Sequence, residues 1–324
     1  MSWHLHGAII TGLGTAANNR GQGEGNITTL QKLLWQDRVH TTVSAEAIRW
    51  AVRYWWQSHS AQRPELETNR RWDDEKEDNA WQDQSWSGWQ PGGEGGKTYI
   101  DDDVLGFMLA EGAKIDASDS SDEPEGDAEE GKGKGKGKGK KTKAKGTINK
   151  RRGVLEVTRA ISLIPYAGDV TFNARSGTKG NTSLYGTELH ATRYQYGFSM
   201  TPARLREPAR LLPTLEALLS LGEVAGNHSR FLYDFSPDAV VLRWTHDPAP
   251  RLLYCFGEQG AQICAPDLVR RVAAGDVDAR ELIVGGALSG TPHGDALAAA
   301  GAQVFPGVKA ARDAMLARIR EAQG

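Results

Sequence analysis

The sequence predicts a mixed α+β fold in which strand and helix signals alternate along the chain. Trp3, Leu5, Gly7 and Ile9 alternate with His4, His6, Ala8 and Ile10, the two-residue period of a strand. Ala47, Ile48, Ala51, Tyr54 and Trp55 then recur at helical spacing, and strand periodicity returns at Val157, Ile161 and Leu163. A chain of 324 residues can bury a large core around such elements.

The first strand stops at Gly12. Gly12 to Thr28 is a glycine-rich loop with one carboxylate, Glu24, and with Asn18, Asn19, Arg20, Gln22 and Asn26 as side-chain donors. Backbone beside glycine can approach a phosphate closely, and a row of donors suits an extended nucleic-acid backbone better than one small ligand. A plain surface loop has the same composition. Ser44 then stands near the start of the helix, whose other face carries Glu46, Arg49, Arg53 and Gln57. Residues 60 to 100 are polar but hold Trp72, Trp81, Trp86 and Trp89, which reads as an irregular insertion whose tryptophans pack on the parent domain or stack on bases.

Residues 116 to 152 carry 8 acidic residues followed by 11 basic ones, with Gly and Lys alternating from Gly131 to Lys140. Nothing there can build a core. As a flexible coil its ends would lie roughly 33 Å apart. The two charge blocks can neutralise each other, or the lysines can reach RNA. From Leu155 a strand runs to Pro165, and another is expected from His190 to Met200. Between them, Ala167 to Gly186 reads as a projecting hairpin, with DVTF facing TSLY and Ser176 to Asn181 at the turn. Leu211, Leu212, Leu215, Leu218 and Leu219 mark a helix, followed by strand-like RFLYDF, AVVLRW and LLYCF, and Val308 to Glu321 is a terminal amphipathic helix.

Charge and motifs exclude several classes. The chain has 39 basic and 41 acidic residues, so outside 116 to 152 there are 28 against 33, a net of −5. That is not the global positive field of many nucleic-acid binders, and a polyanion site must be a local groove. Cys255 and Cys264 form neither a disulfide framework nor a zinc pattern, which points to a reducing, cytoplasmic setting. No apolar run is long enough to span a membrane and the N-terminus lacks a signal-peptide pattern, so neither membrane insertion nor export is expected.

Gly12, Gly14 and Ala17 match a dinucleotide fingerprint, but a glycine-rich stretch follows where the helix that holds the pyrophosphate should begin. Gly96, Lys97 and Thr98 resemble the end of a P-loop, but Pro91 stands where its first glycine belongs. The histidines suggest no metal set, and no cofactor is expected. His4, His6 and His228 lack an obvious Lys or Tyr partner for acid–base cleavage.

Five blocks together carry a resemblance: ITGLGTAANNRGQGEGNITTLQK, VSAEAIRWAVRYWW, YIDDDVLGFM, LIPYAGDVTFNARSG with ELHATRYQYGFSM, and GNHSRFLYDFSPDAVVLR. In this order, over residues 4 to about 257, they resemble the DevR-type backbone subunit of type I CRISPR Cascade complexes, a member of the RAMP superfamily. The insertions and the C-terminal ~65 residues add nothing to it. The resemblance implies a modified RRM-like (ferredoxin-like) palm formed by residues 1–59 and 153–324, with a thumb hairpin at 167–186. It further implies a finger insertion at 60–115 and a disordered loop at 116–152.

By the same resemblance the chain is not an enzyme. The resemblance implies that it would bind the crRNA guide, meet target DNA through that guide, and polymerise head to tail with further copies of itself beside other Cascade subunits in antiviral defence. Asn18, Asn19, Arg20, Gln22 and Asn26 would sit on guide phosphates, with Arg49 and Arg53 on the same channel, although both arginines also fit an ordinary exposed helix face. Phe172, Asn173 and Arg175 would belong to the thumb, and Asn227, His228 and Arg230 to a second polar loop. Aromatic residues that stack bases on an RRM sheet are not recognisable on the first strand, so backbone gripping is expected. A ribonuclease of the same superfamily, processing guides or cutting target RNA, is the alternative.

Overall fold

A computed structural model describes residues 2–17, 23–90, 96–110, 148–174, 184–224 and 232–323. In chain order the N-terminal part runs through β1 (His4–Thr11), β2 (Gly14–Ala17), β3 (Gly23–Glu24), β4 (Ile27–Thr28), β5 (Lys32–Trp35), β6 (Arg38–Val43) and α1 (Ala45–His59). The inserted part holds β7 (Arg70–Asp73), β8 (Asp78–Trp81), α2 (Ile100–Leu105), β9 (Gly106–Ala110) and β10 (Ile148–Arg152). There follow β11 (Glu156–Val157), β12 (Ala160–Ser162), β13 (Val170–Ala174), β14 (Leu184–Thr192), β15 (Tyr194–Met200), α3 (Leu211–Leu218) and β16 (Pro237–Thr245). The C-terminal part is β17 (Gly257–Gln259), β18 (Gln262–Cys264), α4 (Pro266–Ala273), β19 (Leu282–Gly286), α5 (Pro292–Ala299), β20 (Gln303–Phe305) and α6 (Val308–Gln323).

The main sheet has the order β20-β19-β16-β1-β15-β12-β6-β5, with β11 also on β15. β1 lies between β15 and β16, antiparallel to both. The alternation in β1 predicts one buried face, yet both faces are buried. Leu5 and Ile9 join a core with Ile48 and Trp56 of α1, Leu215 of α3 and Met315 of α6. Ala8 and Ile10 join a second core with Leu268 of α4, Leu297 of α5, Leu252 and Phe256. The sheet is therefore the middle of three layers. Gly7 is required where β1 passes β15, because a Cβ there would stand 2.1 Å from the Phe198 ring directly opposite.

Ser44 caps α1, its Oγ accepting from Ala47 N at 3.1 Å. The core face of α1 is Ile48, Ala51, Val52 and Trp56, with Tyr54 and Trp55 only half-buried, so the apolar stripe lies slightly further round the helix than the spacing predicts. Trp56 Nε1 donates to Pro213 O and ties α1 to α3.

Other expectations are corrected. The strand predicted from Leu155 is two short pieces, β11 and β12. That predicted from His190 is two strands, because β14 leaves the main sheet at Arg193. LLYCF is no strand: Arg251 and Tyr254 adopt positive φ of 55° and 54°, and the turn presses Leu252, Cys255 and Phe256 into the second core. Residues 232–235 of RFLYDF are also outside any strand, although Tyr233 and Phe235 are buried. Ile148–Arg152, the end of the stretch expected to be coil, forms β10 against β9, with Ala110 opposite Ile148. The rest of that stretch lies outside the described residues.

Candidate nucleic-acid interface

Two segments that the sequence presents as separate, the glycine-rich loop and the hairpin, meet on β14. Along one stretch β14 pairs with β13, Val170 opposite Glu188 and Phe172 opposite Gly186. This register differs from a pairing of DVTF with TSLY. Gly186 and Thr187 also pair in parallel with Ile27 and Thr28 of β4, while Leu189 to Thr192 pair with Ala17 to Gly14 of β2. Both described flanks of the glycine-rich loop thus return to the hairpin's own strand. Gly186 allows this three-way meeting, since a Cβ there would lie 3.1 Å from Ile27 Cγ1 and 3.2 Å from Val170 Cγ1.

Hydrogen bonds fix this small sheet to the main one. The Thr11 and Tyr233 hydroxyls lie 2.7 Å apart, and Tyr233 Oη also lies 3.2 Å from Gly12 O and 3.1 Å from Thr192 O, either of which can accept its proton. Thr41 Oγ1 of β6 bonds with His190 Nδ1 at 2.7 Å and with Tyr194 Oη at 2.8 Å. Arg193 Nη1 holds Thr11 O and Asp238 Oδ2 at the point where β14 gives way to β15. Glu188 receives Leu30 N and Lys32 Nζ at 2.7 and 2.6 Å, and Lys32 lies 4.9 Å from the Tyr166 ring centroid. Burial first, then the charge of Glu188, pushes the Tyr166 hydroxyl up to about 12.

One face of the hairpin is apolar and open: Val170, Phe172 and Leu184 share it by register, and Phe172 and Leu184 are 74% and 63% exposed. Asn26 is exposed beside it, its carbonyl accepting from Gly186 N at 2.8 Å. Asn173 sits in β13 opposite Tyr185. Asn18, Asn19, Arg20, Gln22, Arg175, Asn227, His228 and Arg230 lie outside the described residues. Arg49 and Arg53 are engaged elsewhere: Arg49 Nη2 donates to Leu105 O, and Arg53 Nε lies 3.2 Å from Asp101 Oδ2. Both guanidiniums fasten α1 to α2.

No family model matches the chain. CRISPR-associated protein Cas7/Cst2/DevR of Myxococcus xanthus (strain DK1622) is 47% identical over 332 residues, covering 98% of this chain and 98% of that protein. The chain belongs to the Cas7/Cst2/DevR family. The coverage takes in the C-terminal region that carries no resemblance by motif, so α4, α5 and α6 belong to the family chain as well. Two solved structures share its fold. One is a chain of a CRISPR RNA-guided surveillance complex (TM-score 0.51, 14% identity, 98% of this chain and 99% of that one). The other is a chain of such a complex in a pre-nicking state (TM-score 0.56, 14% identity, 97% and 99%).

Two buried polar groups of this Cas7/Cst2/DevR chain are structural. His6 is buried, with Nδ1 bonded to Ser199 Oγ at 2.9 Å and Nε2 to Asp247 O at 3.1 Å, and burial lowers its pKa. Sequence reasoning missed Asp101, Asp102 and Asp103, which are all buried. Asp101 accepts from Asn69 N and Arg70 N, Asp102 from Trp86 Nε1 and Asn69 Nδ2, and Asp103 from Arg151, Arg210 and two backbone amides. Their partners lie up to about a hundred residues away, so no local signal marks them. Among the described residues, no group of three or more His, Cys, Asp or Glu side chains could hold a metal, and no helix is long and apolar enough to cross a membrane.

Proposed function

We propose that this chain is a non-catalytic, guide-RNA-binding backbone subunit of a type I CRISPR effector complex. It polymerises head to tail along the crRNA and presents the guide for pairing with target DNA. One observation carries the reading: β14 joins the glycine-rich loop to a hairpin with an open apolar face, so a donor-rich loop and a projecting arm form one unit. The loop residues Asn18, Asn19, Arg20, Gln22 and Asn26, with Asn227, His228 and Arg230, hold guide phosphates. Phe172, Asn173 and Arg175 cross the guide toward the next copy. Arg49 and Arg53 act indirectly, by holding the finger to the palm.

An RRM-like palm is supported by the antiparallel order β16-β1-β15-β12, with α1 between β1 and β12 in sequence and α3 between β15 and β16. In such a palm the second face of the sheet is where bases would stack. Here α4, α5 and the Leu252–Phe256 turn cover that face around β1, which favours gripping the backbone. Residues 60–115 form the finger, and the particle is cytoplasmic. The ribonuclease alternative is disfavoured because both nitrogens of His6 are occupied by structural bonds.

The test is binding of the purified chain to unrelated single-stranded RNAs at two salt concentrations, with the RNA inspected afterwards. Similar affinity for all sequences, a steep fall with salt and intact RNA are expected. Salt-independent binding, strong preference for one sequence, or cleavage would overturn the reading.

A further inference from the structure

Apart from the hairpin sheet, the described residues hold a second place suited to a polyanion. It is a cavity of about 380 Å³ between the finger and the turn after β15, lined chiefly by Trp89, Phe107, Lys150, Arg151, Arg152 and Arg204. None of β2, β4, β13 or β14 contributes to it.

The cavity combines held aromatic rings with excess positive charge. Phe107 stacks on buried Trp86 at 4.7 Å and 12°, and its ring lies 6.1 Å from Trp89. The guanidinium carbons of Arg151 and Arg206 lie 4.3 and 5.1 Å from the Trp89 ring centroid. Arg151 is fixed by Asp103 and by Arg204 O, and Arg206 by Gly88 O. The carboxylates paired with these cations are few. Asp103 is shared between Arg151 and Arg210, and Glu156 pairs with the exposed Arg152. Among the described residues, Lys150 and Arg204 are exposed and have no carboxylate partner. Trp89 Nε1 and Arg151 Nε are buried with no hydrogen-bond acceptor. A folded protein rarely leaves such donors unmatched without a use for them.

A volume of this size takes one nucleotide-sized group. Cations at the mouth with aromatic rings behind them match a phosphate backbone and one base at a time, as on single-strand binding surfaces. We infer that this finger cavity is a second nucleic-acid site, which takes a single strand other than the one held at the hairpin, with phosphates on Lys150, Arg152 and Arg204 and a base against Phe107. The shared chemistry is a single-stranded polynucleotide, and DNA and RNA are its two possible sources. The inference goes beyond guide binding and does not depend on it.

The test titrates labelled dT12 and U12 against the full chain, both free and preloaded with a guide-length RNA. The acidic-then-basic tract is present in every sample, so its contribution cancels. The double variant Lys150→Glu with Arg204→Glu changes only exposed side chains, and an unchanged thermal midpoint checks its fold. It is expected to weaken binding of the second strand at least tenfold. The slope of log affinity against log salt should become shallower by about 1.4, two contacts at about 0.7 each. Phe107→Leu, which keeps bulk but removes the aromatic face, should weaken binding about tenfold. Neither variant should change guide loading by more than twofold, whereas Phe172→Ser with Leu184→Ser should impair loading and spare the second strand. Preference for dT12 or U12 identifies the source, and equal binding supports the shared chemistry.

Second-strand binding within twofold of wild type in both variants overturns the inference. So does a parallel loss of guide loading, or displacement of the oligonucleotide by an equally charged acidic peptide. If the chain loads no guide at all, the hairpin reading fails while the free-chain titration still decides this one.

Discussion

A buried carboxylate must be matched by donors, and Asp103 is matched by two arginines and two backbone amides while fully excluded from solvent. Asp103→Asn keeps the shape but leaves the Arg151 and Arg210 charges without their shared partner. The expected loss is about 3–5 kcal/mol in urea unfolding, the usual cost of breaking a buried pair from one side. Its neighbour Asp102 behaves in the opposite sense. Burial first, and then the Asp101 charge, raise its pKa to about 7. An ordinary Asp titrates near ~3.9, so between about 4 and 7 the folded chain holds a proton that the unfolded chain has released. Stability therefore falls as pH rises through that window, by ~1.4 kcal/mol for each unit separating the two values. Asp102→Asn, whose one amide oxygen can keep the bond from Trp86 or that from Asn69 but not both, removes the titrating carboxyl and should flatten that slope. An identical pH profile in the variant, followed by circular dichroism melts from pH 4 to 8, would show that Asp102 is not the titrating group.

At the scale of elements, β14 is the strand on which the account turns, because three neighbours depend on its register. Phe172 of β13 and Leu184 of β14 lie on the hairpin's open face and are largely exposed, so Phe172→Ser with Leu184→Ser should change stability by about 0.5 kcal/mol or less per site. The same variant should lose RNA-dependent assembly in size-exclusion chromatography; assembly at wild-type level would show that the hairpin is not the contact between copies. Element legibility followed the range of the forces. The helices α1, α3 and α6 were readable because each carries its own apolar stripe, and the hairpin because turn residues mark it locally. The LLYCF turn has the composition of a strand, since apolar packing under the sheet is what both require, and only the positive φ of Arg251 and Tyr254 distinguishes it. The glycine-rich loop was legible as a chain of donors, but the attachment of its described flanks to β14 was not. Parallel pairing of Gly186 with Ile27 joins residues too far apart in sequence for any periodicity to record. The same holds for Asp101 to Asp103, whose partners come from five separate segments.

For the whole molecule, the balance of charge sets the terms of assembly. Outside the charged tract the chain is net acidic, so copies of the proposed filament would repel one another weakly and RNA would be drawn only to local grooves. A polyanion threaded through those grooves would supply what the copies lack. An arm that reaches from one copy to a different surface on the next makes a heterologous contact, which extends without closing. On the proposed reading, the number of copies would then be set by the length of the RNA and by nothing in the protein. Mass photometry of the purified chain on guide RNAs of increasing length tests this most directly. The account predicts particle masses that climb in steps of one chain, each step requiring the same added length of RNA. A mass that stays at one or two copies however long the RNA becomes would contradict it.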